Sequence, residues 1–177
     1  MDRSPSQGNP HRSRYGCNPM DFLYFAYGSN LRSAQMERLC PGHQFLGTVR
    51  LDGHRLAFTC GDEEWGGGVA DAPRAAGCEV WGALYRIEAA GLAALDDYEG
   101  YAPGGSPGAH IYVRRTVEVQ SADGRTWSGV ECYFVNKPRR HVPPSDRYRK
   151  ALRDGAVERG LPASYVAGLH SLLLEKD

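Results

Sequence analysis

From residue 22 the chain opens with FLYFAY, a short apolar and aromatic run that reads as a strand and stops at Gly28-Ser29-Asn30. The pattern then changes period: Leu31, Gln35, Met36 and Leu39 recur at helical spacing until Pro41 and Gly42 end them. This predicts strand, tight loop and helix, with Ser29 or Asn30 as the cap, because a short polar side chain accepts from an orphan amide of the first turn. Strand-like pieces at 45–50, 55–60, 66–70 and 79–87 follow, separated by glycine-rich turns. Residues 88–98 carry Leu92, Leu95 and then Glu99 at helical offsets, with one glycine weakening the pattern. After the loop YAPGGSPGAH, the strands 111–120 and 127–135 flank the hairpin-like turn SADGR. Ser145 is placed to cap a helix over 146–159 ended by Gly160, and Pro162 suits the first turn of another with Val166, Leu169, Leu172 and Leu173 as its apolar stripe. Six or seven strands with four helices, without regular βαβ alternation, predict an α+β fold: a mixed, mainly antiparallel curved sheet or partial barrel with packed helices.

Composition narrows this picture. The chain has 177 residues, room for one substantial core. Residues 1–20 are rich in Ser, Pro, Asn, Gly and Arg without apolar period, so a disordered leader is expected there and a single domain over 21–177. Lys plus Arg number 21 and Asp plus Glu number 21, which removes any global electrostatic argument for a nucleic-acid or membrane partner. No run approaches the ~18–20 apolar residues of a membrane span, and no hydrophobic segment near the start suits a signal peptide. A cytoplasmic protein is expected. The five cysteines, 17, 40, 60, 78 and 132, lack a CxxC pair or a nearby histidine at ligand spacing, so free thiols and no metal centre are expected. Cys60, Cys78 and Cys132 read as small buried hydrophobes.

Two segments could carry chemistry. Around Tyr27-Gly28-Ser29-Asn30-Leu31, a helix beginning directly after a strand would converge free backbone N–H groups and its positive end on an anion or developing oxyanion, with Gly28 permitting close approach. The same pattern also describes a capped β-to-α connection. Neither a P-loop nor a GxGxxG fingerprint occurs. In Asp96-Asp97-Tyr98-Glu99, Glu99 falls on the Leu92 and Leu95 side if the helix continues, and Asp97 points away. A carboxylate so buried beside negative charge would have a raised pKa and exchange protons near neutrality; if the helix has ended, Glu99 faces solvent in a polar turn. The basic stretch Lys137, Arg139, Arg140, His141, Arg147, Arg149, Lys150 and Arg153 reads as a solvated face, with Tyr148 as its one inward aromatic. No GxSxG elbow occurs and the six histidines form no set. Trp65, Trp81 and Trp127 read as packing in sheet segments.

FAYGSNL at 25–31, LDDYEG at 95–100, Tyr112 and PPSDRYRK at 143–150, taken in order, resemble the gamma-glutamylcyclotransferases, over about residues 21–170. The resemblance implies cyclisation of a gamma-glutamyl amide to 5-oxoproline with release of an amine, without cofactor or metal. It implies Glu99 as general acid and base, and backbone amides around Gly28, Ser29, Asn30 and Leu31 binding a substrate oxygen, whether oxyanion or alpha-carboxylate. Tyr27, Tyr112 and Tyr148 would wall or hydrogen-bond the pocket. The glycine and proline loop at 102–108 would influence which leaving group fits. The implied partner is a small gamma-glutamyl substrate; a gamma-glutamylated specialised metabolite, a carrier-bound substrate on the basic stretch, a homodimer and a non-catalytic binding domain stay open as alternatives.

Overall fold

The computed structural model describes residues 21–174; residues 1–20, with the expected leader, His11 and Cys17, lie outside the described residues, as do the side chains of Pro107, His170, Leu173 and Leu174. Seven strands and four α-helices occur in the order β1 (Asp21–Ala26), α1 (Ser33–Leu39), β2 (Gln44–His54), β3 (Ala57–Asp62), β4 (Gly67–Asp71), β5 (Arg74–Glu88), α2 (Ala89–Tyr98), β6 (Tyr112–Gln120), β7 (Thr126–Val135), α3 (Asp146–Glu158) and α4 (Ala163–Leu174). Five strands close a barrel in the order β1-β5-β2-β6-β7. Its ladders are antiparallel except at the seam, where Tyr24 of β1 pairs in parallel with Glu131 of β7. The α+β, mainly antiparallel architecture expected from the pattern is the one observed, with closure complete.

FLYFAY shows no polar face because β1 is covered on both faces, inside the barrel and by α2 packed against it: Tyr24, Phe25 and Ala26 are all buried. β5 is longer than its apolar core, running from 74 to 88, and its buried stretch from Val80 to Tyr85 supplies much of the barrel wall. β3 and β4 leave the barrel as a separate two-stranded sheet. The chain after β7 lies along it: Arg139 N donates to Thr59 O, Val142 N to Phe58 O, and Gly68 N to Pro143 O. Gly68 must lack a side chain there, because a Cβ would sit 1.9 Å from the Val142 carbonyl oxygen.

The helical ends behave as their residues dictate. Ser145 caps α3 by accepting from Tyr148 N at 3.1 Å, and Gly160, at φ +68, follows the last turn. SADGR turns β6 into β7 with Gly124 at φ +86. The first helix differs from expectation. Ser29–Leu31 form a single 3-10 turn, Arg32 is extended at ψ 131, and α1 starts only at Ser33, without a side-chain cap. Neither Ser29 nor Asn30 caps it, because both side chains are buried and the Asn30 amide is engaged elsewhere. Two packing expectations also change: Cys78 is exposed on β5 while Cys132 is buried, and Trp65 lies in the β3–β4 turn, outside any strand. The four described cysteines are free.

Candidate active site

The 3-10 turn after β1 and the end of α2 meet at one cavity. Its lining includes Tyr27, Gly28, Ser29, Asn30, Glu99, Tyr112 and Tyr148, from segments as much as 121 positions apart. The cavity measures ≈ 120 Å³ for water-sized spheres, several times what one water requires, which suits the head group of a small metabolite. Leu31 is the exception among the expected binding residues. It is buried against α3, where a Cβ on Gly155 would come within 2.8 Å of its own Cβ.

Glu99 reaches the cavity because α2 continues far enough: Glu99 N donates to Leu95 O at 2.9 Å, and Gly100, at φ +63, then turns the chain away. Of its acidic neighbours, Asp97 is exposed and Asp96 is buried, as the helical phase requires. The Glu99 carboxyl keeps some surface where it lines the cavity and is otherwise enclosed. That enclosure pushes its pKa up from the usual carboxylate range to about 7; the hydrogen bond from Asn30 opposes the rise and the charge of Asp62 adds to it. Asn30 Nδ2 donates to Glu99 Oε1 at 3.1 Å and to Tyr24 Oη at 2.8 Å, so one amide ties the turn, β1 and the carboxyl together.

The tyrosines divide by where their protons go. Tyr27 donates to Tyr133 O at 2.6 Å and Tyr112 to Ala70 O at 2.7 Å, so both hydroxyls are spent on backbone carbonyls and present ring and oxygen to the cavity. Tyr148 instead accepts from Ala70 N at 2.9 Å, and its phenolic proton has no acceptor among the described residues. Burial raises all three pKa values, keeping the phenols protonated. Gly28 leaves room beside them: a Cβ there would stand 3.1 Å from the Tyr148 hydroxyl and 3.3 Å from Ala70 Cβ, closer than ordinary van der Waals contact.

Several lining residues had no sequence signal of their own: Tyr24, Asp62, Trp65, Tyr98, Ile111 and Tyr133. Tyr24 and Tyr133 belong to strands that read as core, while Asp62 ends β3 and Trp65 sits in the turn that follows, both brought to the cavity by tertiary packing. Ser145 helps to hold that turn, donating to Trp65 O at 2.5 Å. Among the described residues the loop at 102–108 contributes none to the lining; Ile111, just before β6, does. Among the described residues no cluster of three or more His, Cys, Asp or Glu is arranged to hold a metal ion, and no helix is long and apolar enough to cross a membrane.

Comparison with known proteins assigns the chain to a family. The AIG2-like family model matches residues 79–169, the stretch that carries Glu99, Tyr112 and Tyr148, and the chain belongs to that class. Within it, the chain is 32% identical over 170 residues to the gamma-glutamylcyclotransferase of Bos taurus, covering 90% of this chain and 86% of the relative. A solved structure described as a gamma-glutamyl cyclotransferase superposes with TM-score 0.76 at 32% identity, covering 85% of this chain and 87% of that one. An uncharacterized Homo sapiens protein superposes with TM-score 0.77, also at 32% identity, over 86% and 88% of the two chains. The chain is a member of the gamma-glutamylcyclotransferase family.

Proposed function

We propose that the protein cyclises a gamma-glutamyl amide, releasing 5-oxoproline and a free amine, with Glu99 as the acid and base. The observation that carries this reading is a carboxyl with its pKa raised to about 7, set in a cavity against the Gly28–Asn30 turn in a chain of this family. The substrate's alpha-ammonium gives a proton to the Glu99 carboxylate. The freed nitrogen attacks the gamma-carbonyl carbon, closing a five-membered ring, and the amide C–N bond breaks as Glu99 returns the proton to the departing nitrogen; the regenerated carboxylate then takes the second proton from the ring nitrogen and passes it to the released amine, which leaves as its ammonium. A group titrating near neutrality suits both transfers.

Backbone amides of the Gly28–Asn30 turn bind a substrate oxygen in this scheme. They act as donors of a tight turn and not as the start of a helix, since α1 begins only at Ser33. Tyr148, with its unspent proton, is a further donor, while Tyr27 and Tyr112 shape the wall. The four free cysteines agree with a cytoplasmic setting.

Glu99→Gln tests the role, since an amide keeps the shape and donates or accepts hydrogen bonds without exchanging a proton. The variant is expected to fold and to lose about 10²–10⁴-fold in kcat/KM, followed by mass detection of 5-oxoproline. Near-normal turnover in folded variant would reject Glu99 as the acid and base.

A further inference from the structure

The turn that lines the cavity is held by two residues outside that lining, Tyr85 of β5 and Arg159 at the end of α3. Tyr85 donates its hydroxyl proton to Asn30 O at 3.2 Å, and Arg159 Nε donates to Leu31 O at 2.8 Å. The guanidinium is itself fixed in place. It lies over the rings of Phe45 and Tyr85, at 4.9 and 5.4 Å from their centroids, and its second terminal nitrogen donates to Ser33 Oγ at 2.6 Å. The Ser33 hydroxyl in turn donates to Glu158, which also accepts from Ser33 N at 3.2 Å. With 10% of the Arg159 side chain exposed, its charge is weakly screened.

Among the described residues no peptide bond is cis, so each carbonyl and the N–H of the next residue point opposite ways in one plane. Two hydrogen-bonded strings follow. From Tyr85, the Asn30 carbonyl shares its peptide with Leu31 N–H, which donates to Gly28 O at 3.0 Å, and that carbonyl shares its peptide with the Ser29 amide. From Arg159, the Leu31 carbonyl shares its peptide with Arg32 N–H, which donates to Ser29 O at 3.2 Å, and that carbonyl shares its peptide with the Asn30 amide. Both strings end on amides of residues that line the cavity. Successive bonds of a string polarise one another, and a cation at the outer end strengthens the donor at the inner one.

From this wiring, and resting on the cyclotransferase reading in which these amides bind a substrate oxygen, we infer that Arg159 and Tyr85 are positioning residues for the reaction. They fix the two peptide planes and polarise the Ser29 and Asn30 amides without touching substrate. An arginine at a helix end also meets ordinary needs, the last carbonyls of α3 and the cover of Phe45. That role stops at stability, whereas the inferred one reaches turnover.

The test measures kcat/KM per mole of folded protein, on whichever of gamma-glutamyl-alanine and gamma-glutamyl-ethylamine wild type converts faster to 5-oxoproline. Arg159→Met keeps an apolar stem over Phe45 and Tyr85 but no donor, and is expected to lose about tenfold, less than the loss of an oxyanion donor itself. Arg159→Lys, which restores a cation and a donor, is expected to recover about threefold of that or more. Tyr85→Phe lacks one hydroxyl and is expected to lose severalfold. Gly160→Ala is the control: it strains the same helix end at φ +68, where a Cβ has free space, and is expected to destabilise the fold yet stay within about twofold of wild type. Turnover by Arg159→Met or Tyr85→Phe within about twofold of wild type, no recovery in Arg159→Lys, or a loss in Gly160→Ala equal to that in Arg159→Met overturns the inference and leaves the cyclotransferase reading intact. Absence of 5-oxoproline when wild type meets both probes strikes the cyclotransferase reading itself.

Discussion

Glu99 is held between two neighbours that act on its proton in opposite directions: the Asn30 amide favours the carboxylate, and the Asp62 charge disfavours it. If Glu99 accepts the substrate's proton, kcat/KM rises as it ionises, through about pH 7. Asp62→Asn should then move that limb to lower pH, and Asn30→Ala should move it to higher pH. Shifts of the same sign in both variants would show that the limb belongs to another group. Stability carries an independent signature. Because enclosure favours the protonated form, the contribution of Glu99 is full below the free carboxylate's pKa and is lost as pH rises through about 7, by up to about 3 kcal/mol. Glu99→Gln never ionises. Its melting temperature should therefore gain on wild type between pH 5 and pH 8, and a constant difference would contradict the raised pKa.

At the scale of elements, the site is assembled from segment ends, and their legibility follows from what fixes each end. The end of α2 was readable: Leu92, Leu95 and Glu99 share a helical phase, which fixes the carboxyl's direction once the helix is known to last to Gly100. The turn at Gly28–Asn30 was readable as a turn but misread as a helix start, since periodicity at Leu31, Gln35 and Met36 does not register an extended Arg32. Nothing local announced that β4 would be clamped between two tyrosines. Tyr112 of β6 donates to the Ala70 carbonyl, and Tyr148 of α3 accepts from the Ala70 amide, so one residue links the small sheet to barrel and helix. Tyr112→Phe should cost about 1 kcal/mol through the loss of this buried hydrogen bond, read from the urea midpoint. Ser145→Ala should cost about 0.5–2 kcal/mol, because that hydroxyl both caps α3 and anchors the Trp65 carbonyl. If Ser145→Ala leaves stability unchanged, the cap is not holding the helix and turn together.

Over the whole molecule, strand count and helix count were legible, and barrel closure was not: it depends on β1 pairing in parallel with β7, more than a hundred positions away. Alternation within a strand reports which faces are covered and is silent about which distant strand covers them. Closure also gathers a charged network that no spacing announced. Arg114 of β6 places Nε 3.2 Å from Asp96 Oδ1 of α2 and NH1 3.8 Å from Glu131 Oε2 of β7, while Tyr133 donates to Asp96 Oδ1 at 2.7 Å. These contacts join α2 to both strands of the hairpin one turn before Glu99. Arg114→Met would leave the Asp96 carboxylate buried with only the Tyr133 hydroxyl among these partners, a change that costs about 3 kcal/mol for a broken buried pair. Adding Asp96→Asn removes the stranded charge and keeps an oxygen for Tyr133 to bond. The double variant should therefore be more stable than the sum of the single losses, by on the order of 1 kcal/mol or more in a double-mutant cycle of urea unfolding. Simple additivity would mean that Arg114 and Asp96 do not act on each other, and that α2 is held over the barrel by its apolar face alone.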